Sequence, residues 1–153
     1  MTTLDKTRVR WMIRADMPQV ESIEELCFQW DAWTPQDFTE QLRIRNVIGM
    51  VCERDECVAG YVIYALFKDR IEVWNFAVHP DFQRRGVGTA LLNKLKGKTR
   101  PDRRSRLIFD VREENVGGHL FLRAGGFKCE GSVKFYEDAC GQVPAYRFAW
   151  ITG

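Results

Sequence analysis

The sequence predicts a single α/β domain whose mixed, mostly antiparallel central sheet of about seven strands is flanked by about four helices. The apolar residues follow alternating strand and helix periods in the order β-α-α-β-β-β-α-β-α-β-β. A strand–helix–strand passage in the middle of this order implies one parallel strand pair. No repeat or linker interrupts the 153 residues, so residues 1–153 are treated as one domain.

The composition excludes several classes of protein. A hydrophobic fraction of 45% with 29% charged residues is typical of globular domains, and a net charge of +2 argues against a general polyanion binder. The five cysteines form no C-x-x-C pair, and the chain has only two histidines as further metal ligands, so we expect reduced thiols and no metal site. With no apolar run long enough for export or membrane insertion, we expect a cytoplasmic protein, either a monomer or a homodimer.

Each predicted element has a local signal. Val9, Trp11 and Ile13 alternate with arginines, which favours a half-buried first strand, and Asp16 is placed to cap the first helix. Thr34-Pro35-Gln36-Asp37 begins the second helix. The remaining predictions are strands at 47–52, 58–67 and 71–78, a helix at 86–95, a strand at 107–111, a helix at 116–124, and strands at 127–135 and 143–151.

A glycine motif lies where the third of these strands gives way to a helix. It consists of Gln83, Arg84, Arg85, Gly86, Val87, Gly88 and Thr89. The first N–H groups of a helix lack partners within the helix, and glycines allow an anion to approach them. Arg84 or Arg85 adds charge-assisted hydrogen bonds. The motif therefore predicts a pyrophosphate cradle, although a tight turn before a helix explains the glycines equally well.

Together with residues 73–82, this motif resembles motif A of the GCN5-related N-acetyltransferase (GNAT) family, whose signature is Q/R-x-x-G-x-G/A after a strand. The resemblance implies the GNAT fold over essentially the whole chain and acetyl-CoA as the acetyl donor. It places the pyrophosphate on the amides of residues 84–89. The pantetheine arm would pair with the main chain of Phe76, Ala77 and Val78, and Asn115 would contact this arm.

Three segments resemble the RimI-like ribosomal-protein-alanine N-acetyltransferases more particularly: residues 27–34, 74–80 and 110–115. This resemblance implies that the acceptor is the α-amine of a protein N-terminus, such as that of a ribosomal protein. The chain differs from that group at two positions. Asp110 stands where the group has a glutamate base, and Leu122 stands where it has a tyrosine acid.

Three side chains are candidates for the chemistry. Glu72 and Asp110, on neighbouring predicted strands, are each a possible general base, and each is also explained as a structural carboxylate. Tyr136 is the replacement hydroxyl for the missing acid, or a packed strand tyrosine. Backbone N–H groups near Val78 are expected to polarise the thioester carbonyl whatever the side chains are.

The charges are segregated along the chain. Residues 15–42 hold seven acids and no Lys or Arg, and residues 94–106 hold seven bases and one acid. The acids are placed to attract a basic acceptor or simply to face solvent. Trp30 and Trp33 are placed to pack over the acceptor chain or to be buried in the core. The bases would meet a CoA phosphate or RNA, or form a solvated loop. We expect no membrane partner and no specific nucleic acid.

Three functions remain open from the sequence. The first is an acetyl-CoA-dependent protein N-terminal acetyltransferase. The second is an acetyltransferase acting on a small amine, such as a polyamine, an amino acid or an aminoglycoside. The third is a non-catalytic CoA-binding module.

Overall fold

Nine strands and four α-helices are formed by the residues that the structure, a computed structural model, describes: 7–133, 137–138 and 141–153. The strands are β1 (Thr7–Trp11), β2 (Val47–Arg54), β3 (Cys57–Leu66), β4 (Arg70–Val78), β5 (Arg106–Arg112), β6 (Lys128–Val133), β7 (Glu137–Asp138), β8 (Gly141–Gln142) and β9 (Ala145–Ile151). The helices are α1 (Met17–Phe28), α2 (Pro35–Leu42), α3 (Val87–Lys96) and α4 (Val116–Ala124). The order confirms the predicted α/β fold.

Seven of the strands form one sheet in the order β1-β2-β3-β4-β5-β9-β6, and β7 and β8 form a separate ribbon. Every neighbouring pair in the large sheet is antiparallel except β4 and β5, which are parallel and joined through α3. This confirms the parallel pair predicted from the crossover. Its ladder runs only from Arg70↔Arg106 to Val73↔Phe109, although both strands continue further.

The sheet has a separate apolar cluster on each face. On one face, residues of α3 and α4 such as Leu91 and Leu122 pack against Met50 and Phe109. On the other face, residues of α1 and α2 pack against the alternate side chains of β2 and β3; this cluster includes Val20, Phe38, Val51, Tyr61 and Ile63. Both faces of the central strands are therefore buried, which explains their nearly continuous apolar runs.

Two local signals act as predicted. The hydroxyl of Thr34 accepts a hydrogen bond from the Asp37 amide at 3.1 Å, while the Thr34 amide donates to the Asp37 carboxylate at 2.8 Å. This is the reciprocal cap expected at the start of α2. Asp55 and Glu56 both have positive φ, at 54° and 66°, and join β2 to β3 by a tight turn.

Two predictions near the N-terminus are wrong. Asp16 does not cap α1 with its side chain; its carboxylate accepts from both terminal nitrogens of Arg10, at 2.8 and 2.7 Å, and from the Ile13 amide at 2.8 Å. In addition, Trp11 and Ile13 are 56% and 57% exposed rather than half-buried. Strand β1 ends at Trp11. It is an edge strand of the sheet and pairs only with β2.

None of the helices in the described ranges combines the length and the apolar content that crossing a membrane requires.

The Arg10–Asp16 pair predicts an acid-sensitive component of stability. Arg10 and the Ile13 amide hold the pKa of Asp16 below its ordinary value, so its ionised form stabilises the fold above the unfolded-state pKa, and this contribution is lost as pH falls through the folded-state pKa. We expect Asp16→Asn to lower the free energy of unfolding by about 2–3 kcal/mol at pH 7. The difference from wild type should shrink below about pH 4.

Urea unfolding at several pH values measures this difference. The matched control is Asp55→Asn, because Asp55 is exposed and asparagine tolerates its positive φ. A deficit for Asp16→Asn that stays constant from pH 7 to pH 3 would contradict the assignment.

Candidate active site

The site is built around a fork, which we define as the gap between residues 74–78 of β4 and residues 110–112 of β5. Ile63 of β3 pairs with Asn75 and Tyr64 pairs with Val73, which leaves Trp74 as an extra residue in β4. Such a bulge bends and twists its strand. The β4–β5 ladder ends at Val73, so the strands part where the bulge begins.

A cavity of about 190 Å³ occupies the fork. Its walls come from the connection between α1 and α2, from β4, from β5 and from the first half of α4. They include Asp31, Trp74, Phe76, Asp110, Arg112, Asn115 and Phe121. The cavity therefore joins the segments that the sequence assigned to donor and acceptor.

Of the three β4 residues predicted to meet the coenzyme arm, Phe76 lines this cavity. The His79 amide donates to the Ala59 carbonyl of β3 at 2.7 Å. Because successive residues of a strand turn their polar groups to opposite edges, Phe76 and Val78 turn theirs to the fork. Ala77 pairs with Tyr61 of β3 instead, and its side chain is buried, so it lies beside the cavity wall rather than on it.

The glycine motif lies at the end of the fork, where α3 begins. Gly86 is the N-cap of α3 with φ of +84°, and nothing lies within 4 Å of where its Cβ would be. Arg84 also has positive φ, at 63°, and Arg54 supports the loop by donating to the Arg85 carbonyl at 2.6 Å. Open space therefore lies beside Gly86, next to the first N–H groups of α3, which have no partner within the helix.

Gly88 has a different reason for being glycine. A Cβ at this position would lie 3.3 Å from the Phe121 ring of α4. The residue therefore lets α4 pack closely against the start of α3, whereas the sequence argument assigned it to phosphate approach. Phe121 in turn lies 5.8 Å from the Phe76 ring of β4, between ring centroids, which places the start of both helices beside the fork.

Asn115 is the N-cap of α4. Its side-chain oxygen accepts from the Gly118 amide at 2.9 Å, and the residue lines the cavity. The side-chain NH₂ group is left as the donor that a ligand arm in the fork would meet.

Asp110 and Glu72 both have basic partners. The two carboxylate oxygens of Asp110 accept from Nε and Nη2 of Arg147 on β9, at 2.9 and 3.0 Å, and Asp110 lines the cavity. Glu72 accepts from Arg70 Nε at 2.7 Å and from the Trp74 indole at 3.2 Å. The sequence analysis left a structural role open for Asp110, and the partner that such a role involves is Arg147.

Arg112 pairs with Asp31 across the mouth of the fork, at 2.7 Å. The same guanidinium lies over the ring of Trp30, 5.8 Å from its centroid. This contact ties the α1–α2 connection to the end of β5. Trp30 is 60% exposed, while Trp33 packs against Phe38 with 5.2 Å between ring centroids.

The idea of seven uncompensated acids in residues 15–42 is wrong. Asp16 and Asp31 are paired with arginines, and Glu24 is buried. Fewer than seven of these acids therefore face solvent without a basic partner. Folding brings arginines from outside this segment next to Asp16 and Asp31.

The two positions considered for a general acid, 122 and 136, have different outcomes. Leu122 is buried in the apolar cluster under α3 and α4, so this position serves the core. Tyr136 lies outside the described residues.

Sequence analysis missed the most buried carboxylate of the acceptor side, Glu24 on α1, which is 1% exposed. It accepts from Tyr61 Oη, from Asn75 Nδ2 at 2.7 Å and from the Trp33 amide at 2.8 Å. The signal was present in the sequence, because position 24 falls on the same helical stripe as Val20, Ile23 and Cys27. A charged residue on an apolar stripe indicates a buried polar network.

Burial dominates the titration of this network. It raises the pKa of Glu24, although the hydrogen bonds from Trp33, Tyr61 and Asn75 act in the opposite direction. Burial, and then the charge of Glu24, raises the pKa of Cys27 to about 11, and the Cys27 thiol donates to the Val78 carbonyl at 3.3 Å. Cys27 is therefore an un-ionised packing residue beside β4 at neutral pH.

Comparisons with known proteins agree with this geometry. Residues 17–127 match the sequence model of the acetyltransferase (GNAT) family. A [ribosomal protein bS18]-alanine N-acetyltransferase from Salmonella typhimurium is 27% identical over 136 residues, which cover 88% of this chain and 90% of that protein.

Two solved structures share the fold. The ribosomal-protein-S18-alanine N-acetyltransferase from Escherichia coli superposes with a TM-score of 0.78 at 22% identity, covering 96% of this chain and 95% of that one. Arabidopsis thaliana NAA60 in complex with acetyl-CoA superposes with a TM-score of 0.80 at 13% identity, covering 95% of this chain and 98% of that one.

The Glu24 network predicts a specific effect on the α1–α2 connection. Tyr61 and Asn75 donate to one carboxylate oxygen and the Trp33 amide donates to the other. A glutamine whose carbonyl keeps the first two bonds turns its NH₂ group, which cannot accept, toward the Trp33 amide. We expect Glu24→Gln to leave the Trp33 amide without its acceptor and to speed its hydrogen exchange by about tenfold or more. Hydrogen-exchange NMR at residue 33 measures this rate.

Tyr61→Phe is the matched control. It removes one donor from the same carboxylate but leaves the acceptor of the Trp33 amide in place. Equal protection of residue 33 in Glu24→Gln and wild type would show that Glu24 does not hold this connection.

Proposed function

The chain belongs to the acetyltransferase (GNAT) family and is an acyltransferase, and we propose that it moves the acetyl group of acetyl-CoA to the N-terminal α-amine of a protein, such as a ribosomal protein. The observation that carries this proposal is the fork. It opens a strand edge at Phe76 and Val78 that β5 does not pair with, with a helix N-terminus at one end and carboxylates at the other. The Val78 carbonyl on this edge already accepts from Cys27 Sγ and Gln83 Nε2, both at 3.3 Å.

The donor side fits a coenzyme with a diphosphate and an amide-containing arm. The N–H groups at the start of α3 and the open space above Gly86 suit the diphosphate. The Phe76 and Val78 main chain offers the arm a strand edge, and Asn115 adds a donor. The coenzyme supplies an activated thioester, and the Val78 amide points at the region where its carbonyl oxygen would gain charge.

The acceptor chemistry favours an α-amine. Its reference pKa is about 7.7–8.0 against about 10.4 for lysine, so at neutral pH an α-amine needs about 3.5 kcal/mol less to lose its proton. In the described structure the oxygens of both carboxylate candidates accept from basic or indole groups. Carboxylates whose oxygens already accept hydrogen bonds are weak bases, so they are better matched to an amine that is already partly deprotonated.

We assign the base to Asp110, acting on the amine through a water molecule. Asp110 lies on the cavity wall, and 29% of its side-chain surface is exposed, so water reaches it even though Arg147 holds it in place. Glu72 lies lower on β4, where the strands are still paired, and its oxygens are taken up by Arg70 and Trp74. Its proposed role is to orient Trp74 at the bulge.

No side-chain acid is assigned for the leaving thiolate. A thiol has a reference pKa near 8.5, so water protonates the thiolate with little help. Leu122 at the position of the RimI-like tyrosine is compatible with turnover on this argument. Tyr136 remains the candidate general acid that the sequence predicts.

The acceptor is proposed to be basic. The exposed Glu25 and Glu40 and the half-buried Asp37 lie on α1 and α2. The connection between these two helices carries Asp31, which pairs with Arg112 at the mouth of the fork. A positively charged peptide entering between the two helices and β5 would be drawn to them.

The experiment is incubation of the protein with acetyl-CoA and three kinds of amine: peptides beginning Ala-Arg, peptides with only lysine amines free, and polyamines. Release of the CoA thiol reports turnover. We expect the Ala-Arg peptides to be used best. Preference for polyamines would identify a small-amine acetyltransferase, and tight CoA binding without turnover would identify a binding module.

Gly86→Val is the control for the donor side. A β-branched side chain at φ of +84° would be strained, and it would fill the space above the first N–H groups of α3. The variant should lose acetyl-CoA binding, measured by calorimetry, and turnover together. Affinity equal to wild type would contradict the cradle.

The choice between the two carboxylates has its own test. At pH 7 we expect Asp110→Asn to lower kcat/KM for an Ala-Arg peptide by about 100-fold, and Glu72→Gln to lower it less. The deficit of Asp110→Asn should shrink toward pH 9, because the α-amine then loses its proton unaided. A loss that is independent of pH would indicate that Asp110 only holds Arg147, and wild-type activity of both variants would mean that neither carboxylate is the base.

A further inference from the structure

A second and larger cavity lies on the α3 side of the sheet, far from the fork. Its volume is about 470 Å³, and it opens between β1, β2, β3, the end of α3 and the loop that follows. Its polar wall consists of Asn93, Lys94, Lys98, Arg100 and Arg104, with the hydroxyl-bearing Tyr64 from β3. Trp11, Ile48 and Leu66 supply the apolar wall.

The charge on this cavity is of one sign. Four of the residues that line the cavity are cationic, and no lining residue is Asp or Glu. Lys98 is half-buried with its ammonium 4.4 Å from the ring centroid of Trp11, and burial and the charge of Lys94 lower its pKa. Like charges gathered in a concave surface create a positive potential that an anion would relieve.

Two buried donors of this cavity have no hydrogen-bond partner among the described residues. One is the hydroxyl of Tyr64, whose side chain is fully buried, and the other is Nε of Arg104. An unpaired buried donor costs roughly 1–3 kcal/mol. Native proteins leave few such groups, and Tyr64 is the one described residue with a buried hydroxyl in this condition, so its place in a cationic cavity points to a ligand that accepts this bond.

This cavity is not part of the coenzyme cradle. Helix α3 begins at Val87, just after its N-cap Gly86, and ends at Lys96, and its ten residues span about 15 Å. The cations therefore lie at the far end of α3 from the proposed diphosphate site. Lys94, Lys98 and Arg100 are therefore not placed to bind the diphosphate itself.

We propose that this cavity binds a small organic phosphate. The phosphoryl oxygens would accept from Tyr64, Arg104 and Lys98, while the organic part lies on Trp11 and Leu66. A phosphate monoester carries about −1.5 to −2 charges and three acceptor oxygens, which matches several donors and cations better than a single carboxylate does. The volume lies within the range of about 300–1,000 Å³ that small-molecule sites occupy.

The test is a titration followed by ¹H–¹⁵N NMR, which locates binding by residue. The probes are inorganic phosphate, ribose 5-phosphate and adenosine 5′-monophosphate. We expect saturable shifts at the Trp11 indole and at Gly97 and Lys98, with the organic phosphates binding more tightly than inorganic phosphate. Shifts at residues 84–89 alone would mean that the probes use only the coenzyme cradle, and would overturn the proposal.

Tyr64→Phe is the decisive variant. It removes only a hydroxyl that has no partner in the described structure, so the free protein should be as stable as wild type or more stable. Affinity for ribose 5-phosphate should nevertheless fall about tenfold or more, as it should in Lys98→Gln. Lys128→Gln, on the exposed side of β6, makes the same charge change as a control.

Equal affinity in wild type, Tyr64→Phe and Lys98→Gln would overturn the proposal. So would shifts at this cavity that appear only with an RNA oligonucleotide, since these would indicate an extended nucleic-acid surface. Acetyl transfer should be unchanged in both variants, because neither residue touches the fork. The outcome does not depend on whether the proposed acetyl transfer is correct.

Discussion

The structure depends on the parting of β4 from β5. A parallel pair that stops pairing in mid-strand exposes backbone N–H and C=O groups at the centre of a sheet, where they would normally be bonded. The edge persists because β4 is held from its other side. β3 pairs with it as far as Val78, and Asn75, just after the bulge, donates to the buried Glu24. The free edge is thus a rigid surface that a ligand can complete.

The acceptor side is organised by carboxylates that are tied to arginines. Asp110 is held by Arg147 and Asp31 by Arg112, so two carboxylates around the fork are fixed in position. A fixed carboxylate places a water molecule well but has fewer free lone pairs to bind a proton. This arrangement is better matched to an α-amine than to a lysine, since the α-amine asks less of its base.

Local signals predicted most of the fold. The Thr34 cap, the bounds of α4 and the parallel crossover rest on residues that are close in sequence or on chain topology. The failures involve partners that local patterns cannot reveal. Glu24 is bonded to residues 37 and 51 positions away. Gly88 is small because Phe121 packs on it. The Asp110 partner on β9 depends on strand order, which was not predicted residue by residue.

The two ends of α3 show why the proposed anion sites are built differently. At the N-terminus the helix dipole and free N–H groups attract an anion directly, so glycine and space suffice. At the C-terminus the negative end of the helix dipole repels an anion, so cations must offset it. Arg100 is engaged just after the helix, where it donates to the Gly97 and Thr99 carbonyls, both at 3.1 Å. Lys94, Lys98 and Arg104 add further positive charge at this end of α3. The buried hydroxyl of Tyr64 adds a donor that the helix end does not use. A site for an organic phosphate at this end therefore requires a dense cluster of side chains, which is what the sequence supplies between residues 94 and 106.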